Sequence, residues 1–424
     1  MSDYIFLLES RLNKDQLQLL AQVQRAAERA QVHLFLAGGA IRDLLGGFPI
    51  RDLDFSVEGP ALKLVRQLDS RLFSILSTDQ HRQSAELLFG GAATAEIAMC
   101  RKEAYSKTGG QPEVTRATIQ DDLMRRDFSI NALALSLNPA SRGLLLDPTN
   151  GLADIEHKEL RALSNYSFFD DPSRLLRLVR FETRLKYSMA EKTKTQFASA
   201  REAEVEEYIP PRVRLHELRQ ISAEPESAEV VKALNAAGLL KVFEPHLGKK
   251  LDLALLAKLD KARKLIEESG VRPDSFAPFL YCLTKKLNTA ERKNLRTRTG
   301  MRAAEASAWM DLETRAKSLQ KALASKQATP NSRLYRLLSS QDISLILFLL
   351  AFSPLQVVRE RIKTYFTQLR PIAQTLDDQE VEALGVKRSS PKFAAQREAY
   401  LMARLDKKPV AKSEAAKTAS GPGR

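Results

Sequence analysis

Two aspartates, Asp52 and Asp54, stand two residues apart in IRDLDFSV, and a glycine pair, Gly38 and Gly39, precedes them in LFLAGGAIRD. Carboxylates at i and i+2 of a strand share one face, so both can reach the same divalent ion. Glycines ahead of a helix start let backbone N–H groups approach a phosphate. Metal carboxylates beside a phosphate cradle point to nucleotidyl transfer. Neither feature does so alone, because Gly-Gly before a helix is commonly a tight turn and a lone DxD commonly a solvated or capping pair. No GxGxxG follows the first strand and no GK[ST] closes the loop, which sets aside a dinucleotide fold and a Walker-type NTPase.

Glu96 adds a third carboxylate. If its strand lies beside the one carrying Asp52 and Asp54, the three complete a site for two Mg²⁺ ions, one activating a 3′-hydroxyl and one escorting pyrophosphate. Further along, Asp171 and Arg174 are neighbours at i and i+3 of a helix, with Arg177 and Arg180 continuing the ridge. Asp before Pro is a common helix start, and an Asp–Arg pair at this spacing a common surface pair. The chemical alternative is sharper. A carboxylate accepting from an exocyclic amino group and a guanidinium donating to a ring nitrogen match cytosine and adenine and repel guanine and uracil.

These residues need a scaffold. The patterns predict one amphipathic helix over residues 1 to about 30 (Leu17, Leu20, Val23, Ala27), then a strand from Val32 to Leu36 and a short helix opening with Arg42 and Asp43. A strand with Asp52 and Asp54 follows, then a helix from Ala61 to Leu72 and strands Phe73–Leu76, Ser84–Phe89 and Ala95–Cys100. Arg101 to Thr118 reads as a mobile loop, and Asp121 and Asp122 as a helix start before Arg125, Arg126 and Asp127. Leu144 to Ala162 gives a strand, a Pro-Thr-Asn-Gly turn and a helix. Beyond it helical signals dominate, including Ala228–Ala237, Leu251–Glu268 and Ala304–Ala324, so a small mixed α/β head gives way to an all-α remainder near residues 150–165.

With 424 residues the chain can hold two to four domains. Lys and Arg number 66 against 52 acids, a net charge of +14 that favours a polyanionic partner or a basic solvated surface. Cys100 and Cys282 are the only cysteines, and none of the five histidines pairs at metal-ligand spacing, which fits a reducing cytoplasm and no Cys-based zinc site. The N-terminus is not a secretory signal, and ISLILFLLAF (Ile343 to Phe352) is too short to span a bilayer, so no membrane role is expected. The basic run Lys285, Lys286, Arg292, Lys293, Arg296, Arg298 and Arg302 is a solvated face or a phosphate-contacting one, and the Lys/Ala/Ser-rich end of the chain is expected to be disordered.

In order, AGGAIRD with LG and DLD, the strand with RKEAY, RRDFSINALA, DPTNGLADI and DDPSRLLRLVRF resemble the class II tRNA nucleotidyltransferase and bacterial poly(A) polymerase family over Leu34 to about Leu218. The resemblance implies a polymerase-β-like head with a small mixed sheet, then all-α neck, body and tail that hold the tRNA acceptor arm. It divides the chain into a head (1–160), a neck with the base-recognition helix (161–221), an RNA-binding body and tail (222–375), and a C-terminal helical segment with a basic tail (376–424).

Residue by residue, the resemblance places Gly38, Gly39, Arg42 and Asp43 at the triphosphate and makes Asp52 and Asp54 the catalytic metal ligands. Arg126, Asp127 and Asn131 fall on the ribose-holding motif, and Asp154 on the head–neck link. Asp171 and Arg174 match the amino-acid template for the incoming base, followed by Arg177 and Arg180. Ser129 stands where Thr is usual, Asp170 where Glu is usual, and IPPRVRLHEL lacks the usual Glu-Arg opening. The loop SKTGGQP lacks paired arginines. The implied activity is addition of C and A from CTP and ATP to tRNA 3′ ends, with Mg²⁺. Poly(A) synthesis, addition of CC or A alone, and a non-catalytic RNA-binding role stay open as alternatives, as does the oligomeric state.

Overall fold

The computed structural model describes residues 4–89 and 93–407; these fall into two units, one of residues up to 217 with 232–245, the other of 218–231 with those from 246 on. In the first unit, α1 (Tyr4–Arg11) and α2 (Lys14–Ala30) precede β1 (His33–Ala37), α3 (Gly39–Leu45), β2 (Asp52–Glu58) and α4 (Ala61–Val65). Strands β3 (Phe73–Asp79), β4 (Ser84–Phe89) and β5 (Ala93–Met99) follow, and then the hairpin of β6 (Arg101–Ala104) and β7 (Glu113–Arg116). Next come α5 (Ile119–Met124), β8 (Ala134–Ser136), β9 (Leu145–Leu146) and α6 (Gly151–His157).

The sheet has seven strands in the order β3-β4-β5-β2-β1-β8-β9. Only β2 and β5 pair in parallel within it; every other neighbour is antiparallel. Leu53, Phe55 and Val57 form the buried face of β2. Strand alternation therefore sends Asp52, Asp54 and Ser56 to the other face. Helix α2 packs against β1 and β5, and α4 against β4 and β5. After the sheet come a short parallel pair, β10 (Glu159–Leu160) with β11 (Ser188–Met189), and helices α7 (Ser167–Asp170) and α8 (Ser173–Leu185).

The expected head is present, with local differences. The N-terminal helix is two helices, because Asn13 and Gln16 form a capping box that starts α2 afresh, and Leu17 is exposed. Helix α4 ends at Val65, short of Leu72; Asp69 instead accepts the backbone N–H of Arg71 in a turn. The span expected as a loop after Arg101 is a hairpin whose tip packs on a distant segment. A Cβ at Gly109 (φ +64°) would collide with the Tyr208 carbonyl. Strand β5 starts at Ala93, two residues early, and strand signals persist as far as β11.

The second unit is helical. Its apolar helix Ile343–Phe352 is buried and packs against Leu253–Glu267, Phe276–Leu283 and Leu312–Ala324. The helix expected over Ala304–Ala324 is broken at Asp311, whose carboxylate accepts from the Ser307 hydroxyl at 2.5 Å while the backbone leaves helical geometry. Arg263, 3% exposed, donates to the carbonyls of Ser222 and Glu224, at and just beyond the end of the helix Pro211–Ser222. In the basic run, Lys285 pairs with Glu313 at 2.9 Å and Lys286 with Asp252 at 3.4 Å, while Lys293 is exposed. No single helix among the described residues is long and apolar enough to cross a membrane. The tail beyond residue 407, expected to be disordered, lies outside the described residues.

Candidate active site

The chain turns between β1 and α3 at Gly38, with φ +68° and ψ −131°, a conformation that favours glycine. A Cβ there would sit 2.5 Å from Arg126 Nη1 and 3.4 Å from Asp54 Oδ2; one on Gly39 would lie 3.5 Å from the same Asp54 oxygen. The turn, the carboxylate strand and Arg126 therefore meet at one point. The parallel register sets Asp54 opposite Glu96 and Asp52 opposite Thr94, so the condition placed on Glu96, a neighbouring strand, is met. Glu86 on β4 stands opposite Glu96 in turn, making a row of three carboxylates that only strand order reveals.

Asp54 is half-buried. Burial first, then the charges of Glu96 and Asp52, push its carboxyl up to about 7, against the pull of Arg126 and Arg42. The Thr94 hydroxyl bonds Asp52. Among the described residues no three carboxylate, imidazole or thiolate groups converge tightly enough to hold an ion as they stand. The donor set is nevertheless all hard oxygen on one open face, which suits Mg²⁺ in character.

Arg126 is held from three sides: its Nη2 donates to Ser56 Oγ (3.1 Å) and Asp122 Oδ2 (3.0 Å), and its Nη1 to the Asn131 carbonyl (3.3 Å). Its buried Nε has no hydrogen-bond partner among the described residues. Asp122 also takes Arg125 Nη2 at 2.6 Å. Burial alone would raise the Asp122 carboxyl, but Arg125 and Arg126 outweigh it and hold it at about 2. Asp122 was legible only as a helix-start acid; its spacing of three and four residues from Arg125 and Arg126 was the available signal.

Asp127 is 5% exposed. Its Oδ1 accepts from Asn131 Nδ2 at 2.9 Å and its Oδ2 from Arg177 Nε and Nη2 at 2.8 and 2.5 Å. Despite burial, Arg177 and the Asn131 bond hold this carboxyl well below the usual range. Arg42 is also buried, at 3% exposure, with Nη1 on Asn131 Oδ1 (2.6 Å), Nε and Nη2 on Asp43 Oδ1 (2.9 and 2.8 Å), and its carbon 5.0 Å from the Phe181 ring centre. These contacts occupy all three of its nitrogens. Arg180 lies 4.9 Å from the same ring and 3.5 Å from buried Glu217, a residue the sequence reading did not single out.

Asp171 and Arg174, expected to read the base, lie side by side, but each side chain has other partners. Asp171 ends α7 and starts α8: its Oδ1 accepts from the Ser173 N–H (3.1 Å) and hydroxyl (2.6 Å). Its Oδ2 lies 3.9 Å from Arg174 Nε. The Arg174 head turns inward to Ser167 Oγ and the Arg125 carbonyl, each at 2.8 Å. Asp154 is buried, accepting from Ser129 Oγ and from Arg161.

A glycine turn, a DxD strand in a mixed sheet and an RRD segment whose aspartate is buried are the features of this site. Residues 34–161 match the family model of the poly A polymerase head domain. The A-adding tRNA nucleotidyltransferase of Halalkalibacterium halodurans is 41% identical over 191 residues, 45% of this chain and 44% of that protein. The one from Geobacter sulfurreducens is 26% identical over 413 residues, 95% of this chain and 47% of that protein. The solved Thermotoga maritima CCA-adding enzyme complexed with tRNA is 25% identical, with a TM-score of 0.51 over 98% of this chain and 97% of that one. Residues 34–161 thus carry the likeness to a poly A polymerase head domain, and the chain as a whole is similar to tRNA nucleotidyltransferases. It spans about half the length of the curated relatives named here.

Proposed function

We propose that this chain adds C and A from CTP and ATP to the 3′ end of tRNA without a nucleic-acid template. The observation that carries the reading is the meeting of the Gly38–Gly39 turn, Asp54 and Arg126 at one point. Asp52 and Asp54, with Glu96 beside them, would hold Mg²⁺, which when bound lowers the pKa of the attacking 3′-hydroxyl and offsets charge on the departing pyrophosphate. The turn offers backbone N–H groups to the triphosphate, and Arg126, with its orphaned Nε, offers charge and a donor. Arg42, held by Asp43 and Asn131 through one N–H on each nitrogen, keeps two further N–H donors and stands beside the turn to help hold the triphosphate. Asp127 and Asn131 hold the segment that faces the ribose, and Arg177 ties it to α8.

Base choice rests with Asp171 and Arg174, once Arg174 turns from Ser167 toward the base. The exposed cations of the second unit supply phosphate contacts to the acceptor arm. Such work suits the cytoplasm.

Addition of A alone is a second reading, favoured by the A-adding names of the two curated relatives above. Incubating tRNAs ending before CCA, and ending in CC, with CTP and ATP singly and together, then sequencing the 3′ ends, separates the two. Growth of CCA on the first substrate supports the main reading. Growth only on the CC end supports the second, and long A tails on generic RNA overturn both.

A further inference from the structure

Arg177 and Arg184 stand seven residues apart on α8, two turns, and so face the same way. Each grips a different carboxylate. Arg177 holds Asp127, whereas Arg184 Nη2 donates to Asp43 Oδ2 at 2.8 Å, with side chains 12% and 4% exposed. The other oxygen of Asp43 takes Arg42, Arg42 reaches Asn131, and Asn131 Nδ2 returns to Asp127. The bonds close a circuit from α8 through Asp127, Asn131, Arg42 and Asp43 back to α8. Phe181 sits against it, its ring centre 5.0 Å from the Arg42 guanidinium and 5.6 Å from that of Arg177.

The circuit joins three cations to two anions in a largely buried place, where loss of one partner strands another. It also joins the two parts that must agree in position. Asp43 belongs to α3, directly after the glycine turn, and Arg184 to the helix that begins with Asp171 and Arg174. A hydrogen-bond pattern on a base edge tolerates little displacement, since about 1 Å of misplacement can cost about 100-fold in rate. No sequence motif singled out Arg184, and it stands four residues beyond the last ridge arginine, Arg180.

We propose that Arg184 is a positioning residue: through Asp43 it fixes the base-reading helix against the glycine turn and so governs which bases are accepted. It acts through Asp43 and has no contact with the nucleotide. This rests on the nucleotidyl-transfer reading above.

The test compares the full chain with Arg184→Met and Arg184→Lys, using a tRNA acceptor and each of the four nucleoside triphosphates. The expected result is a fall of about tenfold in the kcat/KM preference for ATP and CTP over GTP and UTP in Arg184→Met. Arg184→Lys, which keeps the charge on Asp43, should regain most of it. An unchanged preference in folded Arg184→Met overturns the proposal, and so does an equal loss with all four nucleotides, which marks a merely structural role. Amide hydrogen exchange tests the seat separately. Arg184→Met should speed exchange together in α3 and α8 while leaving α2 unchanged, and protection unchanged in both α3 and α8 overturns the proposal even if the wild-type chain incorporates nothing. Absence of incorporation by the wild type would by itself refute only the nucleotidyl-transfer reading.

Discussion

Asp54 and Glu96 face each other across the one parallel strand pair of the sheet, each on a separate strand and in direct register. Their mutual repulsion is part of what raises the Asp54 carboxyl, and it makes the pair a cation acceptor in search of charge. Asp54→Asn should therefore abolish incorporation, by about 1,000-fold or more, while tRNA binding by filter retention stays within a few-fold. Turnover near that of the wild type would remove Asp54 from the chemistry.

The same pair predicts a pH dependence. The folded value of Asp54, about 7, lies above the ordinary 3.8, so folding favours the protonated carboxyl. That contribution is complete below pH 3.8 and is lost as the pH rises through about 7. With Asp54 as the proposed Mg²⁺ ligand, the ion would have to displace the proton, so Mg²⁺ affinity should climb between pH 6 and pH 8 with proton release, read by titration calorimetry in two buffers of different ionisation heat. A pH-independent affinity would contradict this.

Asp127 is a buried carboxylate whose charge is balanced chiefly by Arg177. Arg177→Met leaves it stranded and should lower the unfolding free energy by about 3 kcal/mol in urea titrations of the full chain. Its contribution has the opposite sign to that of Asp54: a depressed carboxyl stabilises above the ordinary pKa and loses that effect as the pH falls through the folded value. The wild type should thus lose more stability than Arg177→Met as the pH falls below 3.8, and parallel curves there would count against the pairing.

Gly38→Ala brings a Cβ to 2.5 Å from Arg126 Nη1 at a left-handed φ. The strain should cost about 1–3 kcal/mol of stability, and displacement of Arg126 should raise the KM for ATP and CTP. Gly47→Ala has the same sign of φ and open space around it, and should cost stability without moving KM. Equal KM effects from the two substitutions would separate the turn from the nucleotide.

Much of the site was legible locally. The glycine turn, the DxD alternation and the Asp171–Arg174 spacing are all short-range patterns, and each element they imply is present. What could not be read is what depends on partners far along the chain. Arg42 is one case: its Nη1 partner, Asn131, lies 89 residues later, and nothing in the local sequence signals that bond. The facing of Asp54 and Glu96 depends on strand order, since β2 and β5 are separated in sequence by α4, β3 and β4. The missed hairpin has the same origin: β6 reads as charged loop because its stability comes from pairing with β7 and from Glu103 taking Arg101 and Arg125.

The break between α7 and α8 gives Asp171 two separable duties. One oxygen is committed to the N–H and hydroxyl of Ser173, which holds the start of the helix; the other points toward Arg174. In the proposed reading the base competes only for the second, so choosing a nucleotide never requires the turn from Asp171 to Ser173 to open. Recognition is then a matter of one guanidinium changing partners on a fixed mount, and a substitution that preserves charge but lengthens the arm, Asp171→Glu, would disturb the mount before it disturbed the chemistry of recognition.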